Sequence, residues 1–173
     1  DAKKVYVINN RLSATGKALH AEFVNRAEDV STQLQFIYPD TPDLKSLQQV
    51  VANLEAGSVV YYLSFLRDRH GQSYHPQQIV ALIASLSPVP VYAEIDYLLG
   101  YGIIGGKLKS GYSQGQTAAM LAYQILAGKQ VDDLAVITDS PNRYMFDYRQ
   151  LHRFTINPAL LPPDSIVINQ PES

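Results

Sequence analysis

Short runs rich in β-branched and aromatic residues recur along the first half of the chain, and a stretch of helically spaced apolar residues separates each from the next. The runs are Val5-Tyr6-Val7-Ile8, Leu34-Gln35-Phe36-Ile37-Tyr38, Val59-Val60-Tyr61-Tyr62-Leu63 and Pro90-Val91-Tyr92-Ala93-Glu94-Ile95. They are nearly continuous in apolar character, as strands covered on both faces must be. This alternation predicts an α/β fold of three layers, α/β/α and Rossmann-like, around a mostly parallel sheet of about five strands.

The spacers carry their own punctuation. Ser13 to Gly16 reads as a capping turn before a helix over 17–25. Asp43 caps a second helix, with Leu44, Leu47, Val50, Val51 and Leu54 on one face and Gly57 as its stop. Pro76 opens a third helix through Ile79, Val80, Leu82, Ile83 and Leu86. The glycine-rich stretch 100–106 predicts a short fifth strand, and 116–127 a fourth helix ended by Gly128. Beyond Lys129 the pattern loosens. Leu134 to Ile137 and Ile166-Val167-Ile168 read as strands, and 144–154 as a strand plus short helix, among prolines that break up the rest. The expected division is a lobe over 1–128 and a wrap-around tail over 129–173.

Composition narrows the function. The chain has 173 residues, 46% apolar and 17% charged, too apolar for a disordered segment. A domain of this length buries roughly 70% of the surface its unfolded chain exposes. With 14 basic and 16 acidic residues the formal net charge is -2, and no basic run marks a nucleic-acid or anionic-membrane surface. The absence of cysteine removes disulfides, thiolate metal sites and thiol catalysis. No apolar window is long enough to span a membrane, and no signal-peptide pattern opens the chain. Asp1 stands just before the first strand, so more protein is expected upstream.

Three motif matches need weighing. Gly100-Tyr101-Gly102-Ile103-Ile104-Gly105 fits G-x-G-x-x-G, but no helix opens at once and no acidic residue follows at the right distance. Close backbone approach explains such glycines equally well. Gly111-Tyr112-Ser113-Gln114-Gly115 fits the G-x-S-x-G nucleophile elbow, which His152 and one of Asp132, Asp133, Asp139 or Asp147 would complete as a serine hydrolase. The bland alternative makes Ser113 a capping residue. Asp68, His70 and His75 share one loop, but their spacing matches no standard metal site. No metal or cofactor is expected. In open parallel sheets ligands bind beyond the carboxyl ends of the strands, which selects the loops 9–16, 64–75, 94–99 and 109–115.

Several segments together resemble a known family. They are Ser87-Pro88-Val89-Pro90-Val91-Tyr92, then Leu99 to Gly106 followed by Ser110 and Gln114-Gly115, and Ile125-Leu126-Ala127-Gly128-Lys129. Ser140-Pro141-Asn142, Phe146-Asp147 with Gln150-Leu151, and Leu161-Pro162-Pro163-Asp164-Ser165 complete the set. In order and spacing the chain resembles the C-terminal lobe of type I periplasmic binding proteins. Within them it is similar to the substrate-binding-protein-like sensor domains at the extracytoplasmic end of bacterial sensor histidine kinases and diguanylate cyclases.

The resemblance implies a clamshell without catalysis of its own, in which two lobes close on a small molecule and pass the motion to a signalling module. The N-terminal lobe would lie upstream. Localisation would be periplasmic, with membrane attachment only through a segment outside this chain. The segment after Gly102, with its helix, would belong with the upstream lobe, so a lone lobe would expose apolar surface and be prone to pair with a second copy. Matching ligand contacts are Asn10, Ser13, Ala14 and Thr15 after the first strand. Ser64, Phe65, Arg67 and Asp68 follow the third strand, Asp96 and Tyr97 the fourth, and Ser110 and Tyr112 precede the last helix. Arg67 would clamp a carboxylate, Asp96 accept from an ammonium or hydroxyl, and Tyr112 stack on an apolar ligand, which suits an amino-acid-like molecule. Ser110 stands where some relatives carry Asp. A solute-binding protein of an uptake transporter would share the fold and the site.

Overall fold

The structure is a computed structural model that describes residues 2–28, 33–137 and 141–172. Asp139 and Ser140 lie outside them. Strand β1 (Lys4–Asn9) leads through α1 (Ala14–Ala27) to β2 (Gln35–Ile37), and α2 (Leu44–Ala52) leads to β3 (Ser58–Ser64). Helix α3 (Pro76–Leu86), β4 (Val91–Tyr92), a 3-10 turn at Asp96–Leu98 and β5 (Gly105–Leu108) follow. Then come α4 (Gly111–Leu126), a 3-10 turn at Val131–Asp133, β6 (Arg143–Asp147), α5 (Tyr148–Arg153) and β7 (Ile166–Ile168).

The first four strands form one parallel sheet in the order β2-β1-β3-β4, with Val5 opposite both Phe36 and Val59 and with Tyr61 opposite Tyr92. The predicted fifth strand is present but belongs to a second sheet, β5-β6-β7, where it runs antiparallel to β6. Gly105 and Gly106 hold φ of 120° and 146°, outside the range of a regular ladder, so β5 meets β4 only at its ends. There Ile104 N–H donates to the Val91 carbonyl at 2.8 Å, and Asp96 N–H donates to the Lys109 carbonyl at 3.0 Å. The single five-stranded sheet is thus corrected to a four-stranded parallel sheet and a small mixed one.

Burial along β3 shows how the layers are filled. Ser58, Val60, Tyr62 and Ser64 are buried, whereas Val59, Tyr61 and Leu63 are half-buried. The buried side packs with Ile8 and Val91 under Leu47 and Val51 of α2 and Ile79, Val80 and Ile83 of α3. Asp43 caps α2 through a full capping box with Ser46. The opposite face is covered by α1, whose Phe23 ring meets Phe36 edge-on at 5.6 Å and tilts over Tyr61 at 5.1 Å. Ile104, Phe146 and Leu151 form a second, smaller core beneath the tail.

Two further expectations change. Helix α4 starts at Gly111 rather than at Gln116, because the Ser110 hydroxyl accepts from Ser113 N–H and caps the helix ahead of its glycines. Of its 16 residues only Ser113 is buried. The expected strand at Leu134 to Ile137 is irregular chain, with Val136 86% exposed and no pairing partner among the described residues.

Candidate functional site

The carboxyl ends of β1 and β3 are tied together, with Asn10 N–H donating to the Ser64 carbonyl at 2.8 Å. Asn9 Nδ2 donates to the Gly16 carbonyl, and Asn10 Oδ1 accepts from Leu12 N–H, both at 2.9 Å. Gly16 is required here: an added Cβ would lie 2.0 Å from the Asn10 carbonyl oxygen. Ser13 caps α1, its Oγ accepting from Gly16 N–H at 2.9 Å. The first amides of the helix, Ala14 and Thr15, have no intrahelical acceptor and carry the positive end of its dipole to this edge. Asn10 is 5% exposed, and its Nδ2 has no hydrogen-bond partner among the described residues.

A cavity of about 120 Å³ opens at the edge, between the start of α1 and the ends of β3 and β4. Thr15, Ser64 and Tyr97, three of the expected ligand contacts, are among its lining residues. Leu66 and Glu94, inside the selected loops but not named as contacts, line it as well, and so does Pro76 at the start of α3. Glu94 was legible as the acidic residue that closes the fourth apolar run. Its Oε2 pairs with Lys109 Nζ at 3.0 Å. Tyr97 is 47% exposed, with its hydroxyl raised above the usual tyrosine range by burial.

Other predicted contacts have different work. Phe65 is 0% exposed and packs in the main core against Tyr74 at 5.7 Å, so the expectation of a ligand contact is corrected: its ring has no surface to offer. Asp68 organises its own loop, its oxygens accepting from the amides of His70 and Gln72 and from the Tyr74 hydroxyl at 2.9 to 3.0 Å. Burial would raise its carboxyl, but the Tyr74, Gln72 and His70 donors outweigh that and hold it below the usual range. Arg67 is exposed and does not pair with Asp68; its Nε donates to the Gly71 carbonyl at 3.1 Å. Ser110 is buried as the α4 cap. Tyr112 is 75% exposed on α4, Ala14 is exposed on the first turn of α1, and Asp96 is half-buried with its backbone amide bound to Lys109. None of these lines the cavity.

The tempting motifs resolve as backbone features. A Cβ at Gly102 would stand 2.3 Å from the Ala84 Cβ, and one at Gly105 would stand 2.0 Å from the Met145 carbonyl oxygen. These glycines allow β5 and its approach to touch α3 and β6. Ser113 lies inside α4 without the positive φ of an elbow, and its buried Oγ has no hydrogen-bond partner among the described residues. His152 sits on α5, stacked on Tyr148 at 6.3 Å. No hydrogen bond joins the two among the described residues.

No protein-family profile matches the chain, and no curated protein matches it. Solved structures do. The ligand-free, open structure of CD0873, a substrate binding protein with adhesive properties from Clostridium difficile, superposes with TM-score 0.72 at 15% identity, over 98% of this chain and 55% of that one. The ABC domain in complex with L-Trp from Streptococcus pneumonia gives TM-score 0.58 at 13% identity, over 91% and 52%. A conserved domain protein from Vibrio cholerae gives 0.59 at 15% identity, over 96% and 55%. The chain therefore shares the fold of these structures, one of which is described as a substrate binding protein. The chain spans about half the length of the proteins it resembles.

Proposed function

We propose that the chain is one jaw of a two-lobed, small-molecule-binding domain. In this reading it is the extracytoplasmic sensor of a bacterial membrane signalling protein, a histidine kinase or diguanylate cyclase. The observation that carries the reading is the strand-end edge itself. A cavity, the open amides of α1, the Ser64 backbone tie and the Glu94–Lys109 pair converge where such sheets place ligands. The other jaw is an upstream lobe. Helix α4 and the tail after Lys129 are the segments offered to it, and they expose Tyr112, Met120, Tyr123 and Leu126 for contact. Closure brings the upstream lobe over Thr15, Ser64 and Tyr97 and moves the C-terminal tail, which carries the signal onward.

An amino-acid-like ligand fits the edge. Its carboxylate meets the amides of Ala14 and Thr15, and its amine meets Glu94. L-Trp in the pneumococcal relative is consistent with that class. The transporter reading, a solute-binding protein for uptake, is favoured by the description of the Clostridium protein as a substrate binding protein. Sequencing the reading frame on both sides of the chain separates the two. A membrane helix and signalling module downstream supports the sensor. A stop codon near Ser173 behind a secretion signal supports the transporter protein and overturns the sensor.

A further inference from the structure

The sheet face that carries Val59, Tyr61 and Leu63 is not fully covered. Among the described residues α1 is the helix that lies over it, and between α1 and β3 to β5 a cleft of about 490 Å³ remains. That volume falls in the range of small-molecule sites. Aromatic rings line it from several elements: Phe23 from α1, Phe36 from β2, Tyr61 from β3 and Tyr92 from β4. The cleft shares Leu19, Leu63 and Glu94 with the strand-end cavity, so these side chains form the partition between two compartments.

The polar groups in the cleft select a ligand charge. Arg26 pairs with Glu22 at 2.9 Å near the solvent side of the cleft, and Lys107 lies over the Tyr144 ring at 5.8 Å. Glu94 spends Oε2 on Lys109, while its Oε1 accepts no hydrogen bond among the described residues. The Tyr61 and Tyr92 hydroxyls have no hydrogen-bond partner there either. Burial, with the Glu94 charge second and Arg26 opposing, pushes the Tyr61 hydroxyl up to about 12. Aromatic faces beside an open carboxylate oxygen attract an organic cation with a flat apolar body.

We propose that this cleft is a second ligand compartment, for an aromatic amine whose ring lies among Phe23, Tyr61 and Tyr92 and whose ammonium reaches Glu94. It differs from the strand-end reading in its floor and aromatic walls, which belong to the face under α1, and shares Glu94 with it.

Tryptamine is a suitable probe. The chain has no tryptophan, so indole fluorescence reports binding without background. The expected result is saturable binding that Glu94→Gln weakens by about tenfold or more, as loss of a hydrogen bond to a charged group does. Val59→Arg places bulk and positive charge in the cleft and is expected to abolish binding. Thr15→Tyr fills the strand-end cavity and is expected to leave tryptamine affinity within about twofold, provided the cleft is separate. In the unmodified chain, tryptamine should shift the amide resonances of Tyr61 and Tyr92, a readout that needs no variant to fold. The proposal is overturned if millimolar tryptamine does not bind, if indole-3-propionate binds as tightly, or if Val59→Arg retains binding. Loss of binding in Thr15→Tyr alone would move the amine to the strand-end site and also overturn the separate compartment, while leaving the jaw reading intact.

Discussion

At Gly105 the backbone holds φ of 120°, and an added Cβ would lie 2.0 Å from the Met145 carbonyl oxygen. Strain and collision act together there, since β6 cannot retreat without opening the second core. Gly105→Ala is expected to cost about 3 kcal/mol in urea unfolding; an unchanged midpoint would mean that β5 and β6 do not meet as described. Asp68 gives a different residue-level test. Its carboxyl lies below the usual range in the folded chain, so the unfolded chain takes up the proton first as pH falls. Its contribution is complete above about pH 4, the unfolded carboxylate value, and disappears as pH drops through the lower folded value. Asp68→Asn should remove that part of the loss in thermal midpoint between pH 6 and pH 3, and a curve identical to the parent would contradict the role given to the loop.

At the scale of elements, helix starts were legible where side chains dictate them. Asp43 and Pro76 mark α2 and α3 to the residue because capping and proline geometry are local. The start of α4 was less legible, since Gly111 and Gly115 look like breakers and the Ser110 cap outweighs them. The split into two sheets could not be read locally at all. It depends on Gly105 and Gly106 adopting positive φ and on β6 arriving from nearly forty residues later. The strand-end site was half legible for the same reason. The loops that carry Thr15, Ser64 and Tyr97 follow from the rule about carboxyl ends and the residues themselves from the family resemblance, whereas Phe65 is buried in the core although alternation from the core-facing Ser64 would turn it away, because β3 ends at Ser64. Helix α4 buries a single residue, so Met120→Lys combined with Tyr123→Lys should shift the unfolding midpoint of the chain by less than about 2 °C. A drop well beyond that would show that α4 packs on this lobe.

For the whole molecule, the three-layer arrangement is complete on one face and open on the other. The α2 and α3 face is buried throughout, whereas the α1 face keeps a cleft and α4 extends without a partner. Parallel sheets are ordinarily covered on both sides. The chain spans about half the length of the solved proteins it resembles, and the proposed jaw reading would have these open surfaces meet a counterpart lobe. The same view accounts for the small volume of the strand-end cavity, about 120 Å³. Thermal stabilisation of the intact polypeptide, upstream half included, by a panel of the standard amino acids tests this most directly. The account predicts that at least one member raises the midpoint and that Thr15→Tyr removes the effect. If no member raises it, or if the rise survives Thr15→Tyr, the strand-end edge is not the ligand-binding jaw of an amino-acid-like sensor.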